Sequence, residues 1–236
     1  GNEVVISFNP IPSRAGYKFL GWNKDKDAKT PTYMQTGSKN NFVMPAQDVD
    51  LYAIWEAEEN VSYKVEHYLE REEGYTLKDT DFRGGKTDTI VNAVPKQYSG
   101  YTYDKTIDGT VSSGTVTADG TLVLKLYYKA APAKIVFVEN GGSDVMDLES
   151  KTGWKIADRQ MPTTTYLGYT FEGWYADEEL TKEVNTLPET FPAGTTTYYA
   201  KWSKDESQKK ETKYTVKHVV NGIEQTADTQ TYTKTV

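Results

Sequence analysis

A mainly β chain, assembled from small antiparallel sheets in series as an elongated array, is the fold class this sequence predicts. Three observations carry it. The 236 residues include 31 Thr, 18 Tyr and 5 Trp, a composition that favours strands over helices. Several stretches alternate apolar and polar residues with period two. Two different phrases each occur twice, about 150 residues apart, so two kinds of module alternate in the order A, B, A′, B′.

The first phrase is "GYKFLGWN" at Gly16 to Asn23, repeated as "GYTFEGWY" at Gly168 to Tyr175. Each is followed by a second piece, "LYAIW" at Leu51 to Trp55 and "YYAKW" at Tyr198 to Trp202. The offset falls from 152 to 147 between the two pieces, so the loop of A′ is five residues shorter. The order predicts A over 1–56, B over 61–129, A′ over 134–202 and the start of a second B unit over 213–236. Charged stretches separate them, "EAEEN" at 56–60 and "KDESQKKET" at 204–212.

In A, "VVISF" and "LYAIW" read as strands, and Leu51, Ala53 and Trp55 share a face. The phrase itself poses a parity problem. Tyr17 and Phe19 share one face, and so do Tyr169 and Phe171, but Trp22 and Trp174 fall on the other. A β-bulge at Gly21 and at Gly173 would turn each tryptophan back toward the core. Tyr17, Phe19, Trp22, Trp55, Tyr169, Phe171, Trp174 and Trp202 are then the repeated core. An exposed tryptophan stacking on a sugar is the functional alternative, and the fixed register favours core.

In B, "YKVEHYLE" places Tyr63, Val65, His67 and Leu69 on one face. "TLVLKLYY" does the same with Leu122, Leu124, Leu126 and Tyr128. "ADG" at 118–120 signals a hairpin turn, and "SGYTYD" at 99–104 a further strand start. In A′, "KIVFVENGG" at 134–142 supplies a first strand with no counterpart in A. That should leave an open edge near Val4 to Phe8, and an unpaired edge recruits strands from a neighbouring chain. "ADEELTKEV" at 176–184 reads as a short helix with acidic residues in its first turn, which makes the modules α+β. A calcium loop is the alternative, although the spaced Asp/Asn-Gly pattern of an EF-hand is missing. In B′, Asn221-Gly222 suits a two-residue type I′ hairpin. Residues 214–236 are expected to pair with a neighbouring edge or with the flank of A′.

Charge and composition narrow the chemistry. The four segments carry 0, −3, −5 and +1, together the net −7. No segment is basic, so nucleic acid is not an expected partner. The chain has no cysteine, which removes disulfides, thiolate metal sites and cysteine nucleophiles. No apolar run is long enough to insert in a membrane. The two histidines, His67 and His218, occupy matching places in B and B′, where a structural role is expected. No nucleophile context, phosphate loop or paired carboxylate stands out, so no catalytic, cofactor-binding or metal-binding residue is expected, and no enzyme.

The residues of A, "PSRAGYKFLGW" through "MP" to "VDLYAIW", resemble the Listeria–Bacteroides repeat, the B-repeat of internalin-type surface proteins. "GYTFEGWY" with "YYAKW" resembles it too, although "TTY" at Thr164 to Tyr166 replaces the "P-x-R" before the Gly-Tyr. The B unit looks like the mucin-binding-type repeats of the same class of protein. The resemblance implies a β-grasp-like sheet per repeat in an extracellular, cell-wall-associated protein of Gram-positive bacteria, with signal and anchor outside this stretch. It implies a stalk and adhesion segment whose partners are host glycans or surface proteins. A plain spacer, or an accessory region of a secreted carbohydrate-active enzyme, are the alternatives.

Overall fold

A computed structural model describes residues 1–35, 40–208, 211–226 and 230–235. Among them regular structure is all strand, nineteen in number, in two compact units, Gly1–Ala130 and Ala131–Val236.

The first unit opens with β1 (Glu3–Val5), β2 (Tyr17–Asn23), β3 (Asn41–Val43) and β4 (Tyr52–Ala57). β1 pairs with β3 and β2 with β4, both antiparallel, giving two small two-stranded sheets. Val4 and Val5 pair with Phe42 and Asn41 along one edge of β1, and among the described residues no strand pairs with its other edge. Few side chains are fully buried in repeat A, among them Ile6, Tyr33 and Ile54. Ile54 lies on the opposite face of β4 from Ala53 and Trp55, so both faces of this hairpin are partly covered.

Module B follows with β5 (Val61–Arg71), β6 (Gly74–Gly85), β7 (Ile90–Asn92), β8 (Tyr101–Tyr103), β9 (Ser113–Thr115) and β10 (Val123–Ala130). The sheet order is β6-β5-β10-β8, and β7 pairs with β9. β5 and β6 form a long antiparallel hairpin, but β10 runs parallel to β5, with Leu124 opposite Val65 and Leu126 opposite His67. The sheet is mixed rather than purely antiparallel. The Ala118-Asp119-Gly120 turn therefore does not close a hairpin. Its Gly120 takes a φ of 73°, and the chain leaves it for the middle of the sheet. Val61, Tyr63, Val65, Leu69, Val116, Leu124, Leu126 and Tyr128 form the core. Alternation on β5 and β10 puts their core residues on one face.

The second unit has β11 (Pro132–Val138), β12 (Leu148–Lys151), β13 (Tyr169–Tyr175), β14 (Glu183–Val184) and β15 (Gly194–Lys204) in one sheet, order β12-β11-β15-β13-β14. β11 runs parallel to β15 and the other pairs are antiparallel. Ile135, Phe137, Ile156, Trp174, Leu187, Phe191 and Tyr198 build its core. Residues 176–184 are not a helix. The Asp177 carboxylate accepts hydrogen bonds from the backbone N–H groups of Thr181 and Lys182, and Leu180 takes a φ of 55°. A side-chain-capped turn has outcompeted the helix, a local bond that Asp offers readily.

The last strands are β16 (Glu211–Val216), β17 (Val219–Val220), β18 (Ile223–Glu224) and β19 (Gln230–Thr235). β16 pairs with β19 and β17 with β18. Asn221 and Gly222 both have positive φ, 47° and 80°, as a type I′ turn requires. The segment thus pairs with itself around the expected turn.

Candidate functional site

The aromatic phrase folds the same way twice. Phe19 faces Trp55, Gly21 faces Ile54 and Trp22 faces Ala53, with a register shift between Phe19 and Gly21. Phe171 faces Trp202, Gly173 faces Lys201 and Trp174 faces Ala200, with the same shift. One extra residue on the bulged strand turns the tryptophan through one face, so it meets the phenylalanine three positions earlier. The Phe19–Trp22 and Phe19–Trp55 centroids are each 5.3 Å apart. In A′ the equivalent separations are 5.6 and 5.3 Å. Gly21 adopts a φ of 146° and a Cβ there would lie 2.2 Å from the Tyr33 carbonyl oxygen.

The two copies differ in burial. Trp174 is 1% exposed and its Nε1–H donates to the Pro162 carbonyl at 2.7 Å. Trp202 is partly buried and donates to the Glu139 carbonyl at 2.7 Å. Trp22 and Trp55 are also only partly buried, and the buried Trp22 Nε1 has no partner. Of the four tryptophans, Trp174 alone is a full core residue.

The Gly-Tyr dipeptide closes a turn at both copies. Tyr17 N–H donates to the Arg14 carbonyl and Tyr169 N–H to that of Tyr166. Gly16 and Gly168 have φ of 70° and 83°, as the third position of a type II turn demands. A third copy sits in module B, where Tyr101 N–H bonds the Tyr98 carbonyl across Gly100. The Arg14 guanidinium lies 3.8 Å over the Tyr17 ring. Tyr166 takes the same place by stacking on Tyr169 at 4.4 Å. The "TTY" departure therefore swaps a cation for a ring and keeps the tyrosine covered.

At Gly16 this turn is also a joint between modules. The Gly16 carbonyl accepts from Glu58 N–H at 2.9 Å and from the Thr87 hydroxyl at 2.8 Å. Tyr17 donates its hydroxyl to the Asp88 carboxylate, and that bond is the first cause raising the Tyr17 pKa. A Cβ on Gly16 would lie 2.6 Å from the Ala118 backbone, so only glycine lets the chains approach this closely. Thr87 is buried and Lys86 pairs with Glu59 at 2.5 Å. The sequence pointed to the Gly-Tyr but not to Thr87, Asp88 or Ala118, because they are joined to it only by folding.

The second site lies around His67, which is fully buried. Tyr128 Oη accepts from Lys96 N–H at 3.0 Å, so its own proton goes to His67 Nδ1 at 2.8 Å. That leaves the imidazole proton on Nε2, 3.6 Å from Asp81. Lys96 Nζ is 2.6 Å from Asp81, and the Tyr98 hydroxyl is 2.6 Å from Asp79. Burial, then the Lys96 charge, pushes the His67 pKa below its ordinary value against the pull of both aspartates. The Lys96 hydrogen bond holds Asp81 below the usual carboxylate range. The Asp79-x-Asp81 spacing on β6, facing His67 on β5, was the signal that could have revealed this cluster. His218, its counterpart in B′, is exposed.

On the other face of the B sheet, Tyr68 and Tyr127 stack at 4.9 Å and Tyr75 meets Tyr127 edge-on at 5.1 Å. Leu77, opposite Tyr68, and Phe82, opposite Lys64, stand 52% and 71% exposed. Among the described residues no cluster of three metal-ligating acids or histidines occurs, and no helix is long and apolar enough to cross a membrane.

The family model for the Listeria-Bacteroides repeat domain matches residues 1–54 and 134–201, the spans of A and A′. A protein of Evansella cellulosilytica provisionally named a Gly-rich membrane protein is 30% identical over 254 aligned residues, which take in 98% of this chain. A second protein of that organism, provisionally named a membrane protein, is 31% identical over 204 residues and 81% of the chain. The chain spans 26% and 27% of the length of these curated relatives.

Proposed function

Because the chain belongs to the Listeria-Bacteroides repeat family, we propose that it is a non-catalytic stalk and adhesion segment of a bacterial surface protein. The observation that carries this reading is the jointed repeat. The Gly-Tyr turn that closes each aromatic hairpin also seats the following chain: Glu58 on Gly16 in the first unit and Asp205, at 2.9 Å, on Gly168 in the second. Modules joined by fixed hydrogen bonds hold a defined spacing, which a stalk requires. The names of the relatives accord with a surface or membrane-associated setting, and the module at 61–129 acts in this proposal as a mucin-binding-type repeat, cell-wall-associated and outside the cell.

Adhesion would use the outward face of module B, where Tyr75, Tyr127, Phe82 and Leu77 stand beside Lys64 and Glu66. Aromatic rings with polar neighbours suit a glycan or a protein surface. The test is a glycan array probed with this chain and with Tyr127→Ala. Binding by the parent and not by the variant supports adhesion. A folded chain that binds nothing on the array or on host-surface protein preparations leaves the spacer reading in its place. An accessory role to a carbohydrate-active enzyme predicts instead binding to the polymeric substrate of that enzyme.

A further inference from the structure

Repeat A′ carries a groove of about 440 Å³ beside its Gly-Tyr turn, lined by Thr165, Tyr166, Leu167, Tyr169, Phe171 and Trp202 among others. We propose that this groove is a saccharide site, which takes an uncharged oligosaccharide with a ring face laid on its aromatic wall. It is separate from the outward face of module B and stands whether or not that face binds anything.

The same place is hollow in both repeats. At an offset of 152, Pro12, Ser13, Arg14, Ala15, Tyr17 and Phe19 line a groove of about 840 Å³ in A. Neither neighbouring segment fills it. In A, Gly16 is seated against module B at Thr87 and Ala118, yet Ser13, Arg14 and Ala15 remain exposed. In A′, β11 and the loop after it are in place, with Ser143 bonded to Thr164 and Glu139 to Trp202, yet the groove remains open.

The wall in A′ is a continuous run of rings. Tyr169 stacks on Tyr166, Tyr166 meets the Trp202 ring at 5.6 Å, and Phe171 packs on Trp202. A Cβ on Gly141 would lie 3.1 Å from the Tyr166 ring, so the backbone holds that ring in place before any ligand arrives. Tyr166 is nonetheless 36% exposed, and Leu167 beside it 88%.

The chemistry of the lining selects the occupant. None of the described lining residues is charged, in a chain of which 26% is charged, and the segment around it carries −5. A sulfated or sialylated ligand finds no counter-charge there. The Thr164 hydroxyl, the Trp202 N–H and the Gln208 carboxamide oxygen are already bonded to Ser143, Glu139 and Gly168. An extended peptide would bury main-chain donors and acceptors against them with little to pair with. A sugar buries only a C–H face on the rings and keeps its hydroxyls in water or on Thr165 and Tyr166, which suits an aromatic wall with few polar groups. In A, Arg14 stands in the place of Tyr166, and Lys18 and Glu58 join the lining. Position 166 therefore sets the preference for an uncharged ligand.

The experiment is an array of uncharged glucose-, galactose- and N-acetylglucosamine-based oligosaccharides, with sialylated and sulfated counterparts. It is incubated with the full chain and with its Tyr166→Arg, Leu167→Asp and Tyr127→Ala variants. The strongest uncharged ligand is then titrated while the Trp202 indole N–H resonance is followed. The expected result is saturable binding of an uncharged oligosaccharide and a shifted Trp202 signal. Tyr166→Arg and Leu167→Asp should each weaken binding roughly tenfold, and Tyr127→Ala should leave it unchanged. Arginine is the residue that A itself holds at this position, and an unshifted Trp174 indole resonance reports that each variant remains folded. The proposal is overturned if the folded parent binds no uncharged oligosaccharide, or binds acidic ones as tightly. Full binding in both groove variants overturns it too. So does loss of binding in Tyr127→Ala with the Trp202 signal unmoved, which places the sugar on module B.

Discussion

Trp174 and Trp22 are the same letter in the same phrase with different burdens. Trp174 has its ring enclosed by Phe137, Phe171 and Ala200 and its nitrogen bonded to Pro162. Removing it leaves a large cavity and an unpaired carbonyl, so Trp174→Ala should destabilise the second unit by about 3–5 kcal/mol. Trp22→Ala, from a partly open site whose indole nitrogen is unpartnered, should cost less. Chemical denaturation of each variant, followed by near-ultraviolet circular dichroism, checks the order. Equal losses at the two sites would show that burial does not set the difference. Trp55 and Trp202, partly buried like Trp22 and packed on a phenylalanine, should also cost less than Trp174.

Among the elements, the bulged hairpin and the joint share their first residues. The hairpin needs the glycine at the bulge to turn tryptophan inward, and the joint needs the glycine of the Gly-Tyr turn for close approach. Gly16→Val meets two obstacles: a φ of 70° and the Ala118 backbone 2.6 Å from the new Cβ. Held in a backbone conformation that side chains disfavour, the variant should lose on the order of 1–3 kcal/mol. It should also release the Thr87 and Glu58 bonds to the Gly16 carbonyl. The same change at Gly168, where a Cβ meets nothing within 4 Å, bears the conformational strain alone. Hydrogen exchange over residues 86–89 should therefore quicken in Gly16→Val. Unchanged protection there would mean that the joint does not depend on close approach.

At the scale of the molecule, the two units should answer differently to acid. The folded first unit holds His67 neutral, with its pKa below the ordinary 6.5. The unfolded chain takes up a proton first as pH falls, so the stabilisation is complete above about pH 6.5 and is lost on descending through the folded value. Asp81, held low by Lys96, acts in a lower window, below the ordinary carboxylate value of 3.8. Calorimetry at about pH 8 and about pH 5, on either side of the histidine window, should show the first-unit transition moving down and the second moving little. His67→Gln should flatten the dependence while lowering the stability at high pH. A second-unit shift as large as the first would point to general charge repulsion instead.

Much of this was legible in the chain itself. Alternation on residues 61–71 and 123–130 set the buried face of module B, because side chains of a strand alternate whatever lies beside it. The repeated Gly-Trp step carried the parity conflict that a bulge resolves, and Asn221-Gly222 carried its own turn. Those are local properties, fixed by bonds between near neighbours. The parallel partners of β5 and β15, and the meeting of Gly16 with Thr87 and of Tyr17 with Asp88, were decided by tertiary structure. So were the unequal burial of four matching tryptophans and the enclosure of His67 by Lys96, Asp79 and Asp81. Each depends on which distant segment arrives alongside: the phrase builds the same bulged hairpin twice, but the Trp174 nitrogen meets the Pro162 carbonyl whereas the Trp22 nitrogen has no partner.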